Sequence, residues 1–477
     1  MKKGIKISLV IILVGGVLLM KWLFNPEFVG LDYNSALKKA QKNHYNITFV
    51  SATSDKKFGI VIKEKKKDNN YKLYVSTGAN VNKQTFTSLK ANLELIKSDN
   101  FKIVSEKADF SKNIPKNNLL MYDVDFNKRT LKYQVSLGNE TIKTKIRLAA
   151  VGDILIHDTI YQDAKTTNGY DFNPIFKQIK NQFAGYDLVY ANQESLAAGT
   201  QLGLSSYPTF NSPVQITDAL VNLRVNMIAR ANNHALDKGA EGIIFADRYY
   251  SKFKNIVTAG AQSSKQARDS IRIINKKDIK IAFLNYTYGF NGFELPAGKE
   301  YLSNLFTYDQ VKIDLAKARK QADLIIVAMH WGTEYAPYPN EEQIKQAKFL
   351  NEQGVDIILG GHPHVLEPVD YLKGENNQET FVIYSLGNFV SAQDELPRLV
   401  GGILSMDINI ERSYHYKKIS FQNVKLMPTY NYPTSGLSNY TIVSLANSSQ
   451  KSYFQNVERL MASYTKRIKV VARLNNE

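Results

Sequence analysis

Five of the seven histidines fall in short polar clusters that come at, or soon after, the ends of apolar runs. The carboxyl ends of parallel strands meet at one edge of a sheet, and ligand sites of α/β folds form there. We therefore expect these clusters to converge on one pocket, although they are far apart in sequence. The clusters are Gly152-Asp153 with His157, Asn192-Gln193-Glu194, Asn232-Asn233-His234, His330-Trp331-Gly332-Thr333-Glu334 and Gly361-His362-Pro363-His364.

The predicted pocket contains carboxylates, amides and imidazoles, and it contains no thiolate because the chain has no cysteine. This ligand set suits Zn, Mn or Fe, with enough ligands for one or two divalent ions. Two ions can stabilise the attacking and leaving oxygens in a displacement at phosphorus, and a spare imidazole can protonate the leaving group. Each histidine alone is more often structural than a ligand. Five together are hard to place in a core, because every buried imidazole needs hydrogen-bond partners.

The elements that must position these clusters alternate along the chain from residue 146 onward. Short apolar, β-rich runs are separated by amphipathic stretches, which predicts an α/β domain with substantial sheet. The runs are 147–151, 188–191, 226–231, 256–259, 279–285, 324–329, 355–359, 381–385 and 403–408. Helices are predicted over 212–223, 309–322 and 341–352, and the tail, 452–473, is predicted to be a basic amphipathic helix.

The N-terminus has the features of a membrane anchor. Lys2, Lys3 and Lys6 precede an apolar run over 7–24 that is near the lower length limit for a spanning helix. No small-residue cleavage pattern follows, so we predict an uncleaved signal anchor over 1–24; a cleaved signal peptide is the alternative. The early lysines keep the N-terminus inside, so we expect the bulk of the chain to be extracytoplasmic. No second apolar run of such length is present, so we expect a single-pass protein of the cell membrane.

Residues 25–145 differ from the rest, and we expect a small α+β domain there. The run Lys63-Glu64-Lys65-Lys66-Lys67 leads into Asp68-Asn69-Asn70, a loop signal, and is flanked by two predicted hairpin strands, 58–62 and 71–75. No catalytic cluster is present in this part. Its lysine excess is either a solvated face or a surface for anionic wall polymer or lipid headgroups.

The charge balance restricts the partners. Lysine and arginine outnumber aspartate and glutamate by 61 to 44, a formal net charge of +17. This excess favours anionic neighbours such as a membrane surface or an acidic polymer. No nucleic-acid readout motif is visible, and the predicted location also argues against nucleic acid as a partner.

The ordered motifs resemble the CapA/PgsA-type poly-γ-glutamate capsule biosynthesis family, whose domain is similar to the calcineurin-like metallophosphoesterases. The resemblance implies a metallo-dependent-phosphatase-like, layered α/β/β/α sandwich over 146–412, with 413–477 as an extension packing on it. A membrane-anchored, outward-facing chain also resembles the Gram-positive members. The motifs read VGD at 151–153, NQE at 192–194, ANNHALD at 231–237, HWGTEY at 330–335, GGHPHV at 360–365 and YSLGNF at 384–389.

The same resemblance implies roles for the matching positions. His234 would be the acid near the leaving oxygen. Leu155 replaces the histidine of the usual D-x-H motif, and NQE replaces G-D-x-x-D. The first ion position is therefore weak, uses His157 or is empty. The implied ligands are Asp153 and His364 for one ion, Asn233, His330 and His362 for the other, and Glu194 as the bridge between them.

Three further residues are expected near the site. Asn192 belongs to the second cluster. Glu334 either orients a ligand histidine or forms a surface salt bridge. Asn388 either lines the pocket or serves the turn over 385–389 beneath it.

Two functions fit these observations. The first is an extracytoplasmic, metal-dependent hydrolase of phosphoester or acyl bonds in capsule polymer synthesis or export. The second is a non-catalytic platform that binds an acidic polymer beside membrane capsule-synthase subunits.

Overall fold

The computed structural model describes residues 27–475 apart from 53, 55, 78–92, 94–95, 97–99, 107 and 375–377. The predicted anchor over 1–24 lies outside the described residues. Within the described ranges, no helix is long and apolar enough to cross a membrane. The chain divides into two compact units, one ending at Thr141 and one beginning at Ile142.

The first unit contains a helix and two three-stranded sheets. Asp32 caps helix α1 (Tyr33–Lys42) by accepting a hydrogen bond from the Ser35 amide. The first sheet has the order β1-β3-β2, from β1 (Asn46–Ala52), β2 (Val61–Lys67) and β3 (Asn70–Ser76). The second has the order β4-β6-β5, from β4 (Lys102–Ser105), β5 (Leu119–Asp125) and β6 (Thr130–Val135).

The lysine run of the predicted hairpin lies inside strand β2, and the turn comes only after Lys67. The turn therefore falls within the predicted loop signal Asp68-Asn69-Asn70, whereas the strand predicted over 58–62 continues further, to Lys67. The physical reason is that one face of β2 is open to solvent, and a strand can carry a lysine at every second position on such a face.

The second unit contains two large sheets. The nine-stranded sheet has the order β12-β11-β10-β7-β20-β21-β22, with β19 beside β7 and β23 beside β21. Its strands are β7 (Ile142–Ile154), β10 (Leu188–Gln193), β11 (Met227–Ala229), β12 (Val257–Ala259), β19 (Asn388–Val390), β20 (Val400–Arg412), β21 (Lys417–Ser435), β22 (Ser438–Ser444) and β23 (Lys469–Val470).

The six-stranded sheet has the order β13-β14-β15-β16-β18-β17. Its strands are β13 (Arg272–Lys276), β14 (Ile279–Thr287), β15 (Leu324–His330), β16 (Ile357–Gly361), β17 (Leu366–Lys373) and β18 (Glu379–Leu386). The short strands β8 (Lys165–Thr166) and β9 (Gly169–Tyr170) form a separate hairpin.

Helices cover the outer faces of both sheets. They are α2 (Asp158–Asp163), α3 (Asn173–Phe176), α4 (Gln215–Asn222), α5 (Gly239–Tyr250), α6 (Lys265–Asp269), α7 (Tyr308–Gln321), α8 (Glu341–Glu352) and α9 (Phe454–Met461). Alternate residues of β7 show the layering. Leu148 and Ala150 belong to a core shared with the six-stranded sheet, while Ala149 and Val151 pack with residues of α4 and α5 on the other face. A third core lies between the six-stranded sheet and helices α7 and α8.

The predicted mixed α/β class is confirmed, and each predicted apolar run overlaps a strand. The tail prediction was wrong, because only Phe454–Met461 is helical and Lys469–Val470 then pairs with β21. The β-branched residues Ile468, Val470 and Val471 explain the change, since they suit a sheet edge better than a helix.

Candidate metal site

The two sheets of the second unit bring the predicted residues together. Asp153 lies near the end of β7 and Asn192 near the end of β10, and Asn233 and His234 come shortly after β11. The other histidines come from the six-stranded sheet, with His330 ending β15 and both His362 and His364 following β16.

Glycines allow the strands to approach closely beneath these side chains. A Cβ on Gly152 would lie 1.8 Å from the Gly387 carbonyl oxygen, and one on Gly361 would lie 2.5 Å from Asp153 Oδ1. Gly152 therefore allows contact between two backbones, and Gly361 leaves room for the Asp153 carboxylate. His362 and His364 both have positive φ values, 97° and 60°, so their imidazoles are presented from strained backbone.

Asp153 is fully buried and joins residues of both sheets. Its Oδ1 accepts a 2.7 Å hydrogen bond from Asn192 Nδ2, and its Oδ2 accepts one from the His362 amide at 3.1 Å. Its backbone amide donates to the Gly387 carbonyl at 2.9 Å. The Nδ1 atom of His364 lies 3.5 Å from Asp153 Oδ2. This carboxylate is therefore held in one orientation at the junction of the sheets.

Glu194 is the central group of the site. It is fully buried, and neither carboxylate oxygen has a hydrogen-bond partner. Its Oε1 lies 3.6 Å from His330 Nε2 and 3.6 Å from His364 Nε2. Burial raises the pKa of Glu194 well above its ordinary value. An unpaired buried carboxylate requires a compensating positive charge or a proton.

Two overlapping ligand groups contain Glu194. In each group the ligand atoms lie within 4.8 Å of one another. Glu194 belongs to both groups, as a ligand that bridges two ions must. The groups are Glu194 with His362 and His364, and Asp153 with Glu194 and His330.

The imidazoles differ in their electrostatic surroundings. Burial, followed by the neighbouring His364, lowers the pKa of His362 to about 3, and its Nδ1 has no hydrogen-bond partner. Burial also lowers the pKa of His330 well below its ordinary value. Burial opposes protonation of His364, but the carboxylates of Glu194 and Asp153 outweigh it and raise the pKa to about 9. A neutral buried imidazole with a free nitrogen, such as that of His362, can serve as a metal ligand.

Asn233 and Asn388 contact the ligand histidines. The Asn233 side-chain oxygen lies 2.9 Å from His330 Nε2, and the Asn388 side-chain oxygen lies 3.0 Å from His364 Nδ1. Asn388 is in turn held in place, since its amide group donates to the Arg398 carbonyl at 2.9 Å. Both asparagines therefore contact imidazoles of the ligand groups.

His234 is oriented by its own local network. Its Nδ1 lies 2.8 Å from Asp237 Oδ2, and its backbone amide donates to Asn232 Oδ1 at 3.0 Å. The ring of Phe210 packs edge-on against it, with centroids 4.7 Å apart. A carboxylate on Nδ1 fixes the proton there, which leaves Nε2 as the exchanging nitrogen.

Two predicted residues, His157 and Glu334, belong to neither ligand group. His157 precedes α2, and its Nδ1 lies 3.1 Å from the Leu155 carbonyl oxygen and 3.2 Å from the Ala392 amide. Glu334 is exposed, and among the described residues no hydrogen bond joins it to a histidine.

Two residues that contact the site, Tyr288 and Asp237, are not among the candidate site residues named from the sequence. The ring of Tyr288 lies 4.7 Å from that of His362 and 6.3 Å from that of His330, and burial raises the pKa of its hydroxyl to about 12. Tyr288 directly follows strand β14, and a position at the end of a strand is also what identified the histidines from the sequence. Asp237 lies three residues after His234, a spacing that could have indicated its pairing.

The chemistry of these groups fits a divalent cation. Buried carboxylates and imidazoles converge, and Glu194 and His362 have unpartnered atoms within the same cluster. Nitrogen and oxygen donors without thiolate suit Zn, Mn or Fe.

We expect Glu194→Gln to raise the free energy of unfolding of the chelator-treated protein by about 1–3 kcal/mol, because a neutral amide costs less to bury than a carboxylate whose two oxygens have no hydrogen-bond partner. Denaturant unfolding measures this. Glu334→Gln, a change at an exposed carboxylate of the same region, should alter it by less than about 0.5 kcal/mol. A less stable Glu194→Gln protein would show that the charge is compensated within the chain.

Comparison with known proteins places these residues in a family. The family model for the bacterial capsule synthesis protein PGA_cap matches residues 147–393, just over half of the chain. The matched region contains every residue of the two ligand groups, together with His234 and Asn388.

Two curated relatives are similar over the same part. The PGA biosynthesis protein CapA of Bacillus subtilis (strain 168) is 29% identical over 250 residues, 51% of this chain and 62% of the relative. The capsule biosynthesis protein CapA of Bacillus anthracis is 26% identical over 259 residues, 52% of this chain and 60% of the relative. The match thus spans about six-tenths of the length of these relatives.

Among solved structures, the extracellular region of the Ser/Thr kinase PrkC from Staphylococcus aureus matches 26% of this chain and 50% of its own, at 19% identity and a TM-score of 0.11. That likeness carries no argument. The family match and the two relatives agree with each other and with the ordered motifs, and the chain belongs to the CapA-type bacterial capsule synthesis protein family.

Proposed function

We propose that this protein acts in the synthesis or export of an anionic, poly-γ-glutamate-like capsule polymer through a metal-dependent, hydrolase-type site. The observation that carries the proposal is Glu194, a fully buried carboxylate with two unpartnered oxygens between the imidazoles of His330 and His364. The family's role in capsule synthesis supplies the setting. The apolar sequence over 7–24 supports a membrane anchor with the rest of the chain extracytoplasmic.

The ligands would be divided between the two sheets. Asp153, Glu194 and Asn233 would come from the nine-stranded sheet, and His330, His362 and His364 from the six-stranded one. A bound divalent cation would supply Lewis-acid activation of water and stabilise negative charge on the oxygens of the reacting group.

The chain's own residues would orient the reaction. Asp237 would hold the Nδ1 proton of His234, so that His234 Nε2 can deliver a proton to the leaving oxygen or nitrogen. Asn192 would keep the Asp153 carboxylate turned toward the site through its 2.7 Å hydrogen bond. Tyr288 would cover the rings of His330 and His362 and restrict access of water from that side.

The first test is metal content. We expect the purified full-length protein to retain close to stoichiometric Zn, Mn or Fe by elemental analysis. The His362→Ala/His364→Ala double variant should lose it, because it removes two of the three members of one ligand group. The matched control is His157→Ala, which removes a nearby histidine outside both groups and should keep the metal. If the parent binds no metal after reconstitution, the metal-dependent proposal is wrong.

The second test separates acid catalysis from metal binding. Metal-loaded protein is screened with a phosphodiester and a γ-glutamyl p-nitroanilide. On whichever is cleaved, His234→Ala should lower kcat by about 10²–10⁴-fold with metal content unchanged. Asp237→Asn should also lower kcat, because it disturbs the tautomer of His234. Unchanged turnover in His234→Ala would exclude its role as the acid.

The second candidate function is a non-catalytic polymer-binding platform. The net charge of +17 favours it, since binding of an acidic polymer needs an excess of cationic side chains. Retained metal with no turnover on either substrate class, together with salt-sensitive binding of polyglutamate, would make this function the better description.

A further inference from the structure

The first unit presents a row of lysines on one side of its three-stranded sheet. Lys63, Lys65 and Lys67 alternate along β2, and Lys72 of β3 lies directly opposite Lys65 in the antiparallel register. We call these four residues the lysine face. Directly opposed side chains of an antiparallel pair point to the same side of a sheet, so all four project together. All four are exposed.

The residues between these lysines are neutral. Tyr74 lies opposite Lys63, and Asn70 lies opposite Lys67. On the neighbouring strand β1, Thr48 is the register partner of Lys72. The face therefore combines four cations with hydroxyl and amide groups that can donate hydrogen bonds.

The nearby carboxylates do not neutralise the lysine face. Glu64 belongs to the other side of β2, where its oxygens accept hydrogen bonds from the Glu27 and Phe28 amides at 3.0 and 2.7 Å. Glu27 pairs instead with Lys66. Within the described ranges of this unit, none of the four lysines forms an ion pair.

The four lysines of the face repel one another electrostatically, and an anionic ligand could relieve this repulsion. Alternate residues on a strand are about 6.6–6.8 Å apart and opposed residues about 5 Å apart, so the four ammonium groups repel one another. Like charges placed directly opposite, such as Lys65 and Lys72, destabilise a strand pair. Regularly spaced anions along an extended chain would neutralise all four at once.

We propose that the lysine face binds a linear polycarboxylate and thereby holds the capsule polymer. The choice of polymer rests on the proposed function, whereas the surface itself rests on the register of β2 and β3. Lysine suits this ligand because its ammonium group is a compact point charge that adapts to single carboxylates, without the bidentate geometry of arginine. The face lies in a different unit from the metal site, so its role is to hold the polymer and not to cleave it.

The test measures the affinity of the full-length protein for fluorescently labelled poly-γ-glutamate by anisotropy at several salt concentrations. We expect the Lys63→Gln/Lys65→Gln/Lys67→Gln/Lys72→Gln variant to bind about tenfold more weakly or worse at low salt, with a flatter dependence on salt. The matched control replaces four other exposed lysines of the same unit, Lys38, Lys42, Lys102 and Lys112, with glutamine. It loses the same charge and should bind within about threefold of the parent.

Three results would overturn the proposal. Equal weakening in both variants would mean that net charge alone attracts the polymer. Unchanged binding in the lysine-face variant would mean that the polymer binds elsewhere. Binding of the parent to vesicles containing anionic lipid, without binding to the polymer, would make the face a membrane contact.

The metal content of the lysine-face variant separates this proposal from the hydrolase proposal. If the variant keeps its metal but the polymer result is negative, only the lysine-face proposal fails. If the protein never binds metal yet loses polymer binding in this variant, only the hydrolase proposal fails.

Discussion

The organisation of the second unit depends on the burial of negative charge at the junction of two sheets. Asp153 and Glu194 are completely removed from solvent, and Glu194 has no hydrogen bond to compensate for its lost hydration. Burial without compensation is among the most costly arrangements in a protein. The surrounding residues compensate for this burial, because they bring imidazoles and amides into contact with the carboxylates. They also leave no room for further side chains beside the carboxylates. Even the glycines serve this purpose, since a methyl group on Gly361 would meet the Asp153 carboxylate.

The sequence predicted strand positions well because buried strands leave a strong local signal. Runs such as 324–329 are continuous and β-rich, and the five polar clusters at or soon after the ends of such runs identified the site edge. The pairing of side chains was not predictable, because it depends on strand order and register. Nothing local indicates that Asn192 contacts Asp153 or that the ring of Tyr288 lies against that of His362.

Two errors had a common cause. The first hairpin strand was predicted to end at 62, before the lysine run, and the tail after Met461 was predicted to continue as an amphipathic helix. In the structure, both segments gain backbone hydrogen bonds from a neighbouring strand. Pairing with a sheet edge outweighs weak local preferences when one face of the strand can remain in solvent. The error in β2 also concealed the regular spacing of its lysines, which becomes visible only when the segment is extended.

The division of the ligands between two sheets has a mechanical consequence. Asp153 and His364 are far apart in sequence, and a cation shared by their two sheets would close that long chain segment into a loop. Such closure restricts the unfolded chain in the way that a disulfide does, and a longer loop gives a larger effect. This chain has no cysteine. A metal ion at the strand ends would thus cross-link two distant segments of the chain, as a disulfide does in proteins that have cysteine. Loss of the ion would loosen the contact between the sheets.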